Sequence, residues 1–195
     1  MDGNRRFAKR LMAKPWKGHE WGASKIEKMV EWCREYKIKE LTLYALSIEN
    51  LNRPKEELDF LFDLIKKEFD SMENDKRIYN NKIKINVVGR LNLLPKYIQK
   101  RCKEIMKKTE KHNRFILNFA MAYSGQFEVI DAAIKIAEQV KEGKLDINKI
   151  NEESFKENLQ LKDSPDLIIR TGGEKRTSNF LIWQSVYSEW IFLEK

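Results

Sequence analysis

Short apolar runs alternate with amphipathic stretches along most of this chain. The runs are rich in β-branched, aromatic and leucine side chains, which favours strands. Five segments have this character: residues 40–48, 82–89, 114–123, 166–170 and 188–194. No internal repeat or low-complexity segment interrupts the alternation. The pattern therefore predicts five strands separated by helices.

Between these runs, apolar residues recur every three or four positions, as on one face of a helix. The clearest helix begins after Pro54, and its early Glu56 and Glu57 suit the positive end of the helix dipole. Further helices are predicted after Pro95, over residues 127–140 and over residues 21–36. Apolar strands bounded by helices indicate an α/β fold, a mostly parallel sheet flanked by helices on both faces.

The length and charge of the chain narrow its class without choosing a function. Its 195 residues suffice for one domain with a substantial core. Lys and Arg number 38 against 30 Asp and Glu, which gives a net charge of +8. Such a charge suits nucleic acid, anionic lipid or a small phosphorylated substrate. Many proteins of this size are nevertheless basic without an anionic partner.

The two cysteines favour a cytoplasmic protein. Cys33 and Cys102 lie in predicted helices and lack the spacing of metal ligands, so we interpret them as reduced structural thiols. No apolar run reaches the roughly 18 residues that a membrane span needs. Contact with a membrane surface remains open.

Polar loops follow the predicted strands at the edge where parallel sheets usually bind ligands. Residues 47–54 (SIENLNRP) form one loop and residues 170–180 (RTGGEKRTSNF) another, and MDGNRR at residues 1–6 has the composition of a third. Five arginines and two carboxylates are candidates for one site: Arg5, Arg6, Arg53, Arg170, Arg176, Asp2 and Glu189. Guanidinium groups suit phosphate oxygens, and Mg²⁺ prefers a few carboxylates with substrate phosphates. The alternative is a set of ordinary polar turns.

Several familiar motifs are missing from the sequence. It contains neither GxxxxGK[ST] nor GxGxxG, which excludes a P-loop and a dinucleotide fingerprint. His19 and Glu20 begin an HExxH pattern, but alanine at position 23 ends it. No two aspartates are adjacent, which excludes the DDxxD pair of the all-helical prenyl synthases.

Four segments together resemble the cis-prenyltransferases, the family of undecaprenyl and dehydrodolichyl diphosphate synthases. They are residues 1–8, 18–22, 43–54 and 166–192. The paired arginines after Asn4 are more similar to archaeal and eukaryotic members than to the common bacterial form. The resemblance implies one cis-prenyltransferase domain over residues 1–195, an undecaprenyl diphosphate synthase-like fold with a hydrophobic tunnel, and a homodimer.

The resemblance also implies a reaction and residue roles. Isopentenyl diphosphate would be condensed onto an allylic prenyl diphosphate with cis double bonds, giving a long-chain carrier-lipid precursor. The implied catalytic residues are Asp2, His19 and Asn50, and Asp2 and Glu189 would hold Mg²⁺. The implied contacts of the allylic diphosphate are Gly3, Asn4, Arg5, Arg6 and Phe7. The same cleft would include His19, Ser47, Ile48, Glu49, Leu51 and Arg53. Isopentenyl diphosphate would contact Arg170, Arg176, Thr177 and Ser178.

Some positions depart from the family pattern. Pro15 stands where many members have an arginine, so we expect Lys14, Lys17 or Arg5 to supply the charge. Members carry an apolar strand before the MDGN motif and a tail after the last strand. We therefore expect the chain to lack its first strand and C-terminal tail and to be less active alone. Leu46, Leu51 and the helix with Phe60, Phe62 and Phe69 would line the tunnel, although core packing is the simpler interpretation.

Two other functions would suit a basic chain of this fold. A non-catalytic subunit of a heteromeric synthase usually lacks the motif aspartate and several arginines, and this chain keeps them. A basic nucleic-acid-binding module would interleave aromatic and basic residues, whereas Phe180, Trp183 and Phe192 lie in apolar runs. We therefore expect no nucleic acid partner, and we expect membrane contact through the product. The sequence does not specify product length, allylic primer or final carrier lipid.

Overall fold

A computed structural model of the chain describes residues 3–14 and 16–194. Its helices are α1 (Asn4–Arg10), α2 (Lys17–Ala23), α3 (Ile26–Glu35), α4 (Lys55–Asn74), α5 (Lys76–Asn80), α6 (Lys96–Thr109), α7 (Gly125–Lys141) and α8 (Glu152–Lys156). Its strands are β1 (Glu40–Ser47), β2 (Ile83–Val88), β3 (Phe115–Tyr123), β4 (Leu167–Arg170) and β5 (Glu189–Phe192). Short 3₁₀ helices follow β1, β2 and α7.

The strands form two parallel ladders. β3 lies between β1 and β2, with Ile116 beside Glu40 and Phe115 beside Ile83. β4 pairs with β5 in a second ladder, with Leu167 beside Glu189. In each ladder the carboxyl ends of the strands therefore lie at one edge. The predicted fold class, a parallel sheet with helices, is confirmed.

The main core fills the space between the three-stranded ladder and helices α3, α4 and α6. Alternate strand residues such as Ile85 and Leu117 meet Phe62 and Phe69 of α4, and all four are buried. Burying each such side chain contributes about 2 kcal/mol to stability. A smaller hydrophobic cluster combines strand residues Val88, Ala120, Tyr123 and Ile168 with Leu161, Phe180 and Leu181, which lie outside the strands.

Two sequence predictions about local structure were wrong. Residues 4–6, predicted as loop, begin α1, because arginine, lysine and alanine are good helix formers once Gly3 starts the helix at φ 86°. The single helix predicted over residues 21–36 is two helices, which separate at Ser24 and Lys25. The break lets α2 pack against α1 while α3 packs against the sheet.

Both cysteines are buried and free, as structural thiols should be. Burial raises the pKa of Cys33, and it raises the pKa of Cys102 to about 11. Thiols with a raised pKa are poor nucleophiles and poor metal ligands at neutral pH. Within the described residues, no helix has both the length and the apolar character that crossing a bilayer requires.

Candidate active site

Two glycines bring the start of the chain against the loop after β4. Gly3 and Gly172 both have φ near +90°, a conformation that favours glycine. A Cβ atom on Gly3 would lie 3.0 Å from the Cα atom of Gly172. This close backbone approach places residues 3–6 beside the segment that follows Arg170.

A second close approach positions the predicted histidine. A Cβ atom on Gly18 would lie only 2.0 Å from the carbonyl oxygen of Asn4, and one on Gly22 would lie 2.7 Å from the Asn4 side-chain nitrogen. Larger residues at either position would push α2 away from α1. The glycines therefore hold His19, which lies between them on α2, close to the first turn of α1.

Glu174 joins arginines from the two predicted diphosphate loops. Its Oε1 accepts a hydrogen bond from Arg6 Nη1 at 2.8 Å, and its Oε2 accepts one from Arg176 Nη1 at 2.5 Å. Arg170 lies in the same loop and donates to Ser178 Oγ at 2.8 Å and to the carbonyl oxygen of Arg176. The structure thus brings together arginines from both ends of the sequence.

Left-handed backbone conformations shape the loop after β4. Ser178 has φ 49° and Asn179 has φ 61°. The Asn179 side chain donates to Ser124 Oγ at 2.7 Å and accepts from the backbone N–H of Gln126, which anchors the loop to the start of α7. Thr177 is exposed in this loop. The bonds made by Asn179 hold the backbone that carries the predicted substrate residues.

A buried carboxylate, Glu57, gathers a second set of predicted residues. Its side chain is only 2% exposed, in the first turn of α4. Glu57 Oε1 lies 3.1 Å from Arg53 Nη1, 3.3 Å from Arg5 Nε and 3.8 Å from His19 Nε2. Coulomb attraction in this low-dielectric position fixes both guanidinium groups. These distances identify a cluster of two cations and one histidine around one carboxylate.

Sequence reasoning assigned Glu57 only to the helix dipole and did not consider Glu174 or Asn179. One signal was available for Glu57, which is four residues before buried Leu61 and four after Arg53. A carboxylate on the buried face of a helix needs a charged partner. Arg53, four residues before Glu57, is the nearest arginine in the sequence. No comparable local signal existed for Glu174, since its arginine partners include one that is 168 positions away.

The three candidates to replace the arginine missing at position 15 behave differently. Lys14 pairs with exposed Glu56 at 3.5 Å, and Lys17 pairs with Glu20 at 3.3 Å. Arg5 instead contacts Glu57 within the cluster of predicted site residues. Arg5 is therefore the best placed of the three. Pro15 itself lies outside the described residues.

The loop after β1 is stabilised by reciprocal hydrogen bonds. The backbone N–H of Ser47 donates to Asn50 Oδ1, and the backbone N–H of Asn50 donates to Ser47 Oγ, both at 3.3 Å. Ile48 and Leu51 pack against the main core, whereas Glu49 is exposed. These bonds orient the Asn50 amide at the end of β1 that the sequence predicts to bind substrate.

Apolar side chains surround the charged groups. Phe7 is half exposed and meets Trp21 edge to face, with ring centroids 5.5 Å apart. Leu46 is buried, and Phe62 and Phe69 belong to the core, as the simpler interpretation predicted. Phe60 does not share this core burial.

His19 is held as a neutral side chain. It is 15% exposed, and its Nε2 atom is buried without a hydrogen-bond partner among residues 3–14 and 16–194. Burial, and secondly the charge of Arg53, lower the pKa of His19 to about 4. Glu57 opposes this shift. At neutral pH the imidazole is thus uncharged and available to accept a proton or hydrogen bond.

The lowered pKa of His19 predicts an acid-sensitive fold. Between pH 6.5 and 4 the unfolded chain binds the proton more readily than the folded one, so stability is full above pH 6.5 and falls as pH drops. The loss of unfolding free energy attributable to His19 should reach about 3 kcal/mol at pH 4. Urea unfolding of the wild type and His19→Gln at pH 7, 5 and 4 measures it. Equal losses in the two proteins would contradict the prediction.

The predicted metal ligands stay predictions. Asp2 lies outside the described residues, and Glu189 begins β5 beside Leu167, whereas Arg170 lies at the opposite end of β4. Among residues 3–14 and 16–194, no group of three or more His, Cys, Asp or Glu side chains is arranged to hold a metal ion. Mg²⁺ commonly uses only one or two carboxylates with substrate phosphates, so Asp2 and Glu189 suit this ion by residue type.

Comparison with protein families covers the whole chain. The profile of a family described as putative undecaprenyl diphosphate synthase matches residues 1–195. A protein of Methanopyrus kandleri is 48% identical over 196 residues, covering 100% of this chain and 72% of that protein. A protein of Methanocaldococcus jannaschii is 45% identical over 198 residues, covering 100% and 71%. Both are named tritrans,polycis-undecaprenyl-diphosphate synthase (geranylgeranyl-diphosphate specific).

Solved structures show the same relationship. Lavandulyl diphosphate synthase from Lavandula x intermedia, in complex with dimethylallyl diphosphate, aligns with a TM-score of 0.92 and 31% identity. That alignment covers 100% of this chain and 84% of the other. A probable undecaprenyl diphosphate synthase from Campylobacter jejuni aligns with a TM-score of 0.78 and 34% identity, covering 89% and 79%.

Proposed function

Because this chain belongs to the undecaprenyl diphosphate synthase family, we propose that it condenses isopentenyl diphosphate onto an allylic prenyl diphosphate to give a long-chain cis-polyprenyl diphosphate. The observation that carries the proposal is the pair of arginine clusters around Glu57 and Glu174. Two clusters of guanidinium groups suit two diphosphates. The archaeal relatives' names support geranylgeranyl diphosphate as the allylic primer.

We assign the allylic diphosphate to the first turn of α1 and the cluster around Glu57. Gly3, Asn4, Arg5 and Arg6 contact its oxygens. Fixed guanidinium groups stabilise the negative charge that develops on the diphosphate as its carbon–oxygen bond breaks. Phe7, Ile48 and Leu51 provide apolar surface for the prenyl carbons, which excludes water from the reacting carbon.

We assign isopentenyl diphosphate to Arg170, Arg176, Thr177 and Ser178. Its terminal alkene carbon attacks the allylic carbon as the allylic diphosphate leaves, which puts positive charge on the internal alkene carbon. The CH₂ group next to that internal carbon then loses a proton, and the new double bond forms between these two carbons. Neutral His19, with an unpartnered buried Nε2, and the oriented amide of Asn50 are the groups proposed to assist that proton loss. Ser47, Glu49 and Arg53 complete the loop around them.

We propose that Mg²⁺ is required and that Asp2 and Glu189 hold it. When bound, the ion would neutralise charge on the diphosphate that departs. We further propose a homodimer. Retention of Asp2 and the five arginines favours an active enzyme over a non-catalytic subunit.

Product analysis tests the proposed function. Purified protein, geranylgeranyl diphosphate, Mg²⁺ and labelled isopentenyl diphosphate should give a ladder of longer labelled prenyl products on reversed-phase chromatography. Farnesyl diphosphate should support slower extension, and EDTA or Asp2→Ala should abolish the label. Incorporation only after another subunit is added would instead identify a non-catalytic component. Lack of any incorporation, with tight binding of an oligonucleotide, would contradict the proposal.

A further inference from the structure

The amino ends of three parallel strands carry a concentration of positive charge. Lys39 precedes β1, Lys82 precedes β2 and Arg114 precedes β3, so the ladder brings all three to one edge. Arg34 and Lys37 join them from the end of α3. All five side chains are exposed, and together we call them the strand-start basic face.

This basic face differs from the arginine clusters of the candidate active site. None of its five cations forms an ion pair with any residue in 3–14 or 16–194, whereas Arg5, Arg6, Arg53 and Arg176 are held by Glu57 or Glu174. Unpaired cations on a folded surface keep their full attraction for an external anion. The two acidic residues nearest in sequence on α3, Glu31 and Glu35, are exposed and leave the face with excess positive charge.

Every cation of the face except Lys82 lines a cavity that has both polar and apolar walls. The cavity has a volume of about 280 Å³ and includes Ile38, which is 48% exposed, and buried Phe115 among the cations.

The basic face is remote from the candidate active site. The predicted diphosphate residues lie at the carboxyl ends of the strands, and a strand of eight residues such as β1 is roughly 25 Å long. A diphosphate at Arg5 or Arg170 therefore does not reach these cations. Any anion that binds the basic face is therefore separate from the two substrates.

We infer that the strand-start basic face docks the enzyme on membranes that contain anionic phospholipids. Its cations contact lipid phosphates, while Ile38 enters the boundary region. The choice of membrane rests on the proposed function, because a long polyprenyl product is insoluble in water and must enter a bilayer. Charge complementarity and the exposed Ile38 side chain specify the surface.

Vesicle sedimentation tests the docking surface. The wild type should sediment with phosphatidylcholine vesicles containing 30 mol% phosphatidylglycerol, but not with pure phosphatidylcholine, and high salt should release it. The double variant Lys39→Gln, Arg114→Gln should bind these vesicles roughly 30-fold more weakly. Each basic residue near an anionic membrane surface contributes a similar amount to the binding free energy, and two are removed. The matched control Lys96→Gln, Lys103→Gln removes the same charge from exposed residues of α6 and should bind like the wild type.

The outcomes separate docking from catalysis. All three proteins should show the same melting temperature and the same turnover of detergent-dispersed substrate. Equal vesicle binding by the double variant and the control would overturn the inference. It would also be overturned if the wild type bound RNA through these cations and did not bind vesicles. Wild type that binds acidic vesicles through this face but makes no product would support docking and contradict the proposed function.

Discussion

Replacing Glu57 by glutamine is expected to lower kcat/KM roughly 100- to 1,000-fold, the largest effect we predict for a residue outside the recognised motifs. Glutamine keeps the shape but removes the charge that holds Arg5 and Arg53. Breaking a buried ion pair from one side leaves uncompensated charges, and small displacements of positioning groups are costly in rate. Steady-state extension of geranylgeranyl diphosphate measures the loss.

Glu56 provides a matched control for Glu57. It is the preceding residue, its side chain is 71% exposed, and it pairs at 3.5 Å with Lys14. Glu56→Gln should retain kcat/KM within about twofold, because exposed ion pairs contribute little. A Glu57→Gln protein that is folded and as active as Glu56→Gln would show that the cluster does not position substrate.

Replacing Arg170 by glutamine is expected to raise KM for isopentenyl diphosphate about 100-fold, with a smaller change in KM for the allylic substrate. Charge-assisted hydrogen bonds to phosphate are lost, and each contributes about 2 kcal/mol. Arg170 also supports the loop through Ser178, so some loss of kcat should accompany the rise. Initial rates at varied concentrations of each substrate separate the two constants.

Two variants make the Arg170 prediction specific. Arg170→Lys keeps the positive charge but loses the forked guanidinium donors. Its KM for isopentenyl diphosphate should lie between those of the wild type and Arg170→Gln. Arg77→Gln removes an arginine whose partners, Asp75 and Glu27, are not among the site residues, and it should leave both KM values unchanged. An equal rise in both KM values for Arg170→Gln would contradict the assignment of this arginine to isopentenyl diphosphate.

The strands were predictable because their signal is local. Residues 40–48, 82–89 and 114–123 became β1, β2 and β3 with end shifts of at most one residue, and 166–170 contains β4. Each run is apolar enough to require burial on at least one face. The long helix α4 was equally clear, since its apolar stripe continues for five turns. Pattern and structure agree wherever burial alone decides conformation.

Local conformation near the start of the chain was not predictable in the same way. The motif in residues 1–6 suggested a loop by analogy with other phosphate sites, while the helix propensity of residues 4–10 favoured α1. Similarly, the position of α2 against α1 depends on Gly18 and Gly22 meeting Asn4. Such contacts join distant elements and leave no periodic trace in the sequence.

The identities of the site residues came from motifs, but their connections came from the fold. Sequence alone grouped the five arginines by composition. It did not show that one buried carboxylate holds Arg5 and Arg53, or that Glu174 lies between Arg6 and Arg176. Charged pairs of this kind depend on distances between loops. Those distances follow only from the packing of the elements that carry them.

The bridge made by Glu174 has a thermodynamic consequence. Under the proposed assignment Arg6 belongs to one substrate and Arg176 to the other, yet a single carboxylate binds both guanidinium groups. A diphosphate that draws one arginine away changes the electrostatic environment of its neighbour. If the first diphosphate changes the affinity for the second by some factor, linkage requires the second to change the affinity for the first by the same factor. Under that assignment, the two substrate positions are energetically coupled through one shared anion.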